Sequence, residues 1–408
     1  MKSGGIIINR YLIVPFIFIS VLFYAVYIDQ EKIPEIDMSE KEQWEKGYDL
    51  PVENQKKKEA EEECLEMIDS ISHIYRDVDK GGAADVTLSD KTLEQMQAEV
   101  GKSGNPVITS EQYRPMCNYK KMDQFLEECA EGEKSSIILY SISVSGGVER
   151  KEYHFDGLQM YLLTVRGEWN NSDDPVVTYI SYARIDEWEY TNKGWFCYKL
   201  CVPEPPEVTE IVDGSELIRV IPLSEACIDL SEKYVYPLCY QGNNILCSNW
   251  DITSLDTLDY NGVYEYFYKM KYGESFHPGN DTNGIPAVEF ETVILEYLPV
   301  TVEEIRKWAV YDEETQTYAW ASLGCGNYNL SYFGTSVPEV IDVRQNEDGT
   351  MTLTVEAVCG TVIANDTVMT HELTIRVNHD GHFQYLGNKI LGDGTQNIPE
   401  YSYRISHH

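Results

Sequence analysis

The sequence predicts an α+β protein behind an N-terminal transmembrane helix. Three observations carry that expectation. Residues 11–28 form an uncharged apolar run near the start of the chain. Two later stretches each place apolar residues at helical spacing first and at period two afterwards. Connectors rich in Gly, Asn and Asp separate the period-two runs, as in antiparallel meanders.

The anchor comes first. YLIVPFIFISVLFYAVYI (11–28) carries no charge. A helix rising ~1.5 Å per residue over this run is ~27 Å long, about one hydrocarbon core. Lys2 and Arg10 precede it, and Asp29, Glu31, Glu35 and Asp37 follow. The positive-inside rule makes 1–10 a cytoplasmic tail and leaves the rest extracytoplasmic. No cleavage site fits: with Ala25 at −1, Phe23 stands at −3, where a small residue is needed. The segment is therefore expected to stay as a single-pass signal anchor in the cell membrane, with Pro15 kinking it modestly. Residues 29–60 read as a charged stalk, with Pro34, Pro51 and Lys56, Lys57 and Lys58 in a row.

The first α+β domain is expected over 61–201. Leu65, Ile68, Ile71, Tyr75 and Val78 recur at helical spacing. A second helix fits 89–101, between the N-cap Ser89 and Gly101. A third fits 119–131, with Tyr119, Met122, Phe125, Leu126 and Cys129 on one side. Then SSIILYSISV, VERKEYHF, LQMYLLTVRGEW, PVVTYISYARIDEWEY and WFCYKLC read as strands. Pro203, Pro205 and Pro206 cannot continue a central strand, so a linker is expected at 202–214.

A second α+β domain follows over 215–395, with 396–408 as a tail. Helices fit 260–272, 287–297 and 302–309, the last with the capping box of Thr301 and Glu304. Strands return in EVIDVRQ, TMTLTVEAVC, TVMTHELTIRV and HFQYLGNKIL. Helices first and meander last repeats the order of the first domain. That order fits the cystatin-like or NTF2-like layout, in which a curved sheet wraps a helix.

Charge narrows the partners. The 408 residues hold 68 acidic and 32 basic side chains, for a formal charge of −36. Such a chain repels nucleic acid and anionic headgroups, so no nucleic-acid partner is expected. It favours cations, basic peptides or neutral ligands.

Candidate chemistry is sparse. The ten cysteines show no CxxC pair, and most read as small buried hydrophobes. Cys64 falls on an apolar helical stripe, and Cys197 and Cys201 share a strand face. His379 and His382 stand in a turn around Asp380 and Gly381, which aims them at solvent. LGCGNYNLSYFGTS (323–336) is the most unusual loop. A nucleophilic Cys325 there would need a base such as His371 or His277. PGNDTNG (278–284) is rich in oxygen ligands, but the calcium-loop rule asks for a glutamate where Phe290 stands. NSDDP (171–175) reads as a turn. Tyr179, Tyr182 and Trp188, like Tyr264, Tyr266, Phe267 and Tyr268, fall on patterns that describe core packing. The residues thus assign no catalytic, cofactor-binding or metal site.

Several stretches resemble an uncharacterised family of membrane-anchored extracytoplasmic proteins from anaerobic Gram-positive bacteria. They are GWFCYKLCVPEPPEVTEIVDG (194–214), YQGNNILCSNWD (240–251), LGCGNY (323–328), FGTSVPEV (333–340), and THELTIRV with DGHFQYLGNKIL (370–391). The resemblance covers nearly the whole chain after the anchor. It implies export and brings no activity, ligand, cofactor or catalytic residue. The leading expectation is a non-enzymatic envelope protein that binds a ligand or partner. The alternatives are an envelope hydrolase acting on a wall polymer or peptide, and an assembly spacer.

The topology has a direct test. Protease added outside intact cells is expected to remove the body and spare the first ~30 residues with their membrane span. A body that stays protected until the membrane is opened would overturn the expected orientation.

Overall fold

Four tight turns fold the run from 135 to 200 back on itself. Gly194 shows why the residue type matters. Its φ is +83°, and a Cβ there would stand 2.3 Å from the Cβ of Ile221. Only glycine tolerates both the conformation and the contact. The computed structural model describes residues 40–80, 86–277, 284–323, 336–359 and 367–405. The expected anchor at 11–28 lies outside them. Among the described residues no helix is long and apolar enough to cross a membrane.

The first half runs α1 (Glu40–Lys46), α2 (Asn54–Ser70), α3 (Ser72–Asp77), α4 (Asp90–Gly101), β1 (Val107–Thr109) and α5 (Tyr119–Ala130). It continues with β2 (Ser135–Ile142), β3 (Val148–Phe155), β4 (Met160–Trp169), β5 (Pro175–Tyr190), β6 (Trp195–Leu200) and β7 (Ser215–Arg219). The seven strands form one sheet in sequence order, antiparallel except for the parallel pair β1–β2. Residues 40–60, expected as a stalk, fold onto this half. Leu50 is buried and its N–H donates to Tyr182 O, while Arg184 N–H donates to Gly47 O. Trp44 packs edge-on against Tyr161 and Tyr182. These apolar contacts outweigh the charge of the segment.

The sheet is curled into a half-barrel around α5. Met122, Phe125, Leu126 and Cys129 of α5 share one core with Leu139, Tyr153, Phe155, Leu162, Ile185, Phe196, Tyr198 and Ile218. Those eight residues come from six strands, so the sheet wraps the helix. On the outer face, Cys64 of α2 packs on Leu163 and Val165. Ile68 and the α4 residues Leu93, Met96 and Val100 cover Tyr140, Ile142 and Val148.

The inside of the curl holds one polar chain. Lys151 of β3 meets Glu216 of β7 at 2.5 Å. Tyr198 OH donates to the other Glu216 oxygen, and Tyr153 OH lies 3.2 Å from Tyr198 OH. Since Tyr198 spends its proton on Glu216, Tyr153 is the donor to Tyr198. Burial pulls Lys151 down, but Glu216 and Glu149 outweigh it and hold the ammonium above its usual pKa. Burial pushes Glu216 up, and Lys151 and Tyr198 overcome it to hold the carboxylate low. Both groups are charged.

The segment 202–214 joins β6 to β7, and these strands pair with each other. The first sheet therefore ends at Arg219, beyond the expected linker. The Pro-rich stretch is a loop at the sheet edge, where proline costs no ladder bond.

The second half runs α6 (Glu225–Leu230), β8 (Trp250–Asp251), α7 (Tyr260–Tyr272), β9 (Ile285–Pro286), α8 (Ala287–Tyr297), α9 (Val302–Trp308), β10 (Tyr311–Asp312) and β11 (Thr317–Tyr318). It ends with β12 (Val337–Gln345), β13 (Met351–Val358), β14 (Met369–Val377) and β15 (Phe383–Ile390). The second sheet has the order β12-β13-β14-β15-β8, and its pairs are antiparallel. Asp259 caps α7 by accepting from Gly262 N–H, and the Thr301–Glu304 capping box starts α9. Val263, Phe267, Phe290 and Ile294 pack with Leu353, Val355, Leu373 and Tyr385 to form the second core.

The halves meet where β6 and β7 face β12 and β13. Trp195, Cys197 and Leu217 pack on Val358. Lys193 Nζ lies 2.8 Å from Glu356, and Arg219 lies 3.5 Å from Glu339. Tyr113 OH donates to Pro338 O, and the Tyr113 ring stands edge-on to Tyr236.

The ion pair inside the curl yields a prediction. Lys151→Met leaves a partly buried carboxylate without its cation and is expected to cost about 1–3 kcal/mol in urea unfolding. Lys151→Met with Glu216→Gln is expected to recover more than half of that loss. Additive losses would show that the two side chains are not coupled.

Candidate functional site

The residues singled out by the sequence do not come together. Cys325 and most of its loop, 324–335, lie outside the described residues, as do 278–283 of the oxygen-rich stretch. His371 is fully buried and engaged at both nitrogens. Tyr240 OH stands 2.9 Å from Nε2, and Asn388 Oδ1 stands 2.6 Å from Nδ1. Asn388 Nδ2 donates to Leu246 O and Ser248 O, so its oxygen must accept from His371 Nδ1–H. Tyr240 then donates to Nε2, and neither nitrogen remains for an external proton. His277 is exposed.

The other candidates are local. His379 is exposed, and His382 reaches Glu296 Oε1 at 2.5 Å. In the 171–175 turn, Asn170 Oδ1 accepts from the N–H groups of Ser172 and Asp174, and Lys80 holds Asp173 at 2.6 Å. Tyr264 and Phe267 are buried, while Tyr179 is half exposed. Among the described residues no group of His, Cys, Asp and Glu is placed to hold a metal ion. Cys64, Cys117, Cys129, Cys201, Cys227, Cys239 and Cys247 are free thiols. Burial pushes Cys64 up to about 11, and Cys129 and Cys247 up to about 12. These three are protonated and weakly nucleophilic at neutral pH.

A cleft of about 430 Å³ lies where the half-barrel fails to close. Thr109 of β1 and Ser215, Leu217 and Arg219 of β7 line it, so both outer strands of the sheet face one space. The loop 110–115 forms a wall, and Val337, Glu339 and Val358 of the second sheet form another. The cleft is mixed in charge. Glu111 pairs with Arg114 at 2.9 Å, and Arg219 stacks over the Trp195 ring at 4.7 Å on its way to Glu339.

Two features of the lining are unspent. Among the described residues the indole N–H of Trp195 has no hydrogen-bond partner, and the atom is shut off from solvent. Arg219 Nε–H is in the same state. The backbone of β7 is also open on one side. Val220 N–H donates to Gly194 O and Gly214 O accepts from Leu200 N–H, so even-numbered residues face β6. Odd-numbered Ser215, Leu217 and Arg219 turn their peptide groups away from it. The Ser215 N–H is taken by Asp213. On β1 the same reasoning holds. Pro106 O and Ser110 N–H bond to β2, so Thr109 turns outward.

A second, more open groove of about 840 Å³ lies over the first half of β2, between α2 and α5. Two of its cations are paired within the protein, with Arg150 2.8 Å from Glu63 and Lys56 3.0 Å from Glu152.

A family of unknown function, DUF6070, matches residues 57–404. The chain belongs to this family. No curated protein and no solved structure matches it. The family match spans both large sheets and the cleft between them, from the first turn of α2 to Arg404. Arg404 ties the end of that span to the second half, donating to Gly242 O and pairing with Glu265 at 2.7 Å.

Sequence reasoning missed the cleft because its edges are short. β1 has three residues and β7 has five. The one usable signal was SELIR, a short run of strand formers just after the prolines.

The His371 network makes stability depend on pH. Burial lowers its pKa to about 4, against 6.5 for the free side chain. Between those values the unfolded chain binds a proton that the folded chain refuses. Stability from this group is complete above pH 6.5 and falls by about 3 kcal/mol as the pH drops to 4. His371→Gln keeps a donor and an acceptor and removes the titration. Urea unfolding at pH 7 and pH 4 is expected to show the smaller acid loss in this variant. Equal losses would rule His371 out as the source.

Proposed function

We propose that this chain is a non-enzymatic binding protein of the cell envelope, with the cleft between the edges of the half-barrel as its binding place. One observation carries the reading. Thr109 of β1 and Ser215, Leu217 and Arg219 of β7, the two outer strands of the curled sheet, line the same cavity. Its volume falls within the roughly 300–1,000 Å³ of ligand pockets.

The sequence supports the placement. Residues 11–28 act as a single-pass anchor, and the acid-rich body lies outside the cell. The fold reading goes with it. A helix held inside a curled sheet supports the cystatin-like or NTF2-like class for the first half.

A thermal-shift screen tests the binding claim. The full-length chain in detergent is heated with millimolar amino acids, short peptides and oligosaccharides. At least one class is expected to raise Tm by a few degrees, as binding to the native state requires. Ser215→Trp and Thr109→Trp fill the cleft from its two edges and are expected to abolish the rise. A rise that survives both substitutions, or none with any class, would defeat the proposal.

A further inference from the structure

We infer that the ligand is an extended, net-basic peptide segment of a partner protein, paired as an added strand along the free edge of β7. The inference rests on the binding role proposed for the cleft and names its ligand class. The edge supplies the recognition. Leu217 and Arg219 each offer an outward N–H and C=O, and Ser215 offers its C=O. Over five residues this edge is ~17 Å long, enough for a guest strand of four to six residues. An edge strand left open is a template for pairing with another chain.

The surroundings favour a peptide over a small solute. On the far edge, Thr109 presents a further N–H and C=O to the same cleft. Side chains of a guest strand alternate between two different faces. One set stands beside Glu216, on the inner side of β7, and the other beside Leu217 and Arg219. The glutamates of the lining are paired within the protein, Glu111 with Arg114, Glu216 with Lys151 and Glu339 with Arg219, so the field comes from the whole chain, which carries −36. A field of that sign draws in a cationic segment and repels an acidic one.

The test uses immobilised full-length chain and two pools of acetylated hexapeptide amides. One pool fixes two lysines and the other two glutamates, with the remaining positions mixed. Members of the lysine pool are expected to be enriched and to lose at least tenfold in affinity for Ser215→Trp. N-methylation of an enriched peptide is then scanned along its backbone. Strand pairing predicts a loss at every second residue only, because alternate N–H groups point away from β7. Leu217→Pro removes an outward N–H without touching the β6 ladder, and is expected to weaken the peptide tenfold relative to Leu217→Ala, which loses the same packing on Val358 and keeps the N–H. If that variant unfolds, the N-methyl scan decides alone. Enrichment of the glutamate pool, of neither pool, or a scan without alternation would each overturn the inference. If oligosaccharides or amino acids give a cleft-dependent Tm rise while both pools fail, the binding role stands and strand addition falls.

Discussion

Lys151 and Glu216 stand on strands four places apart in one sheet, yet their charged atoms meet at 2.5 Å. In a flat sheet four steps of ~4.8 Å would separate the strands by ~19 Å. No pair of these side chains spans that gap. The sheet must curl until β3 faces β7 across the interior. The curl in turn demands something to fill it, and α5 does so with Met122, Phe125 and Leu126. The same curl brings β1 and β7 round toward each other and leaves the cleft between them. The buried pair, the wrapped helix and the open seam are consequences of one bend.

A buried ion pair is a poor way to gain stability, because two desolvation costs offset the attraction. Its use here is geometric. Glu216 takes Lys151 on one oxygen and Tyr198 on the other, and Tyr153 completes the chain. Each polar group finds its partners along this chain, and a sheet curled more or less than this would part the Lys151 ammonium from the Glu216 carboxylate. Apolar packing on α5 would tolerate a range of curvatures. The polar chain selects one, and with it the spacing of the two free edges.

Much of the architecture was legible in the sequence, and the reasons are local. α7, α8 and the start of α9 follow their caps and apolar spacing, because Asp259, Gly273 and the Thr301–Glu304 box act on neighbours in the chain. The β2–β6 meander and the β12–β15 meander follow alternation and turns for the same reason. The failures are non-local. Residues 40–60 look like a solvated stalk until the sheet brings Tyr182 to Leu50 and Arg184 to Gly47. The pairing of β7 across the Pro-rich loop has no signal within 202–214. His371 was partly readable, since His371, Leu373 and Ile375 share one face of β14 and the other two are apolar. Its partner Tyr240 lies 131 residues away, and nothing in either stretch announces the contact.

The junction of the halves follows from a charge problem. Glu339 and Glu356 stand directly opposite each other on β12 and β13, and both are buried. Like charges in that position destabilise a sheet. The second sheet is therefore incomplete without cations from outside itself. The turn and edge of the first sheet bring them, Lys193 to Glu356 and Arg219 to Glu339. Arg219 cannot move without releasing both Glu339 and the Trp195 ring on which it lies. The residue that fastens the second half to the first is thus also a wall of the cleft. Any occupant that pulls on Arg219 strains the junction, so the cleft and the relation of the two sheets are coupled through one side chain.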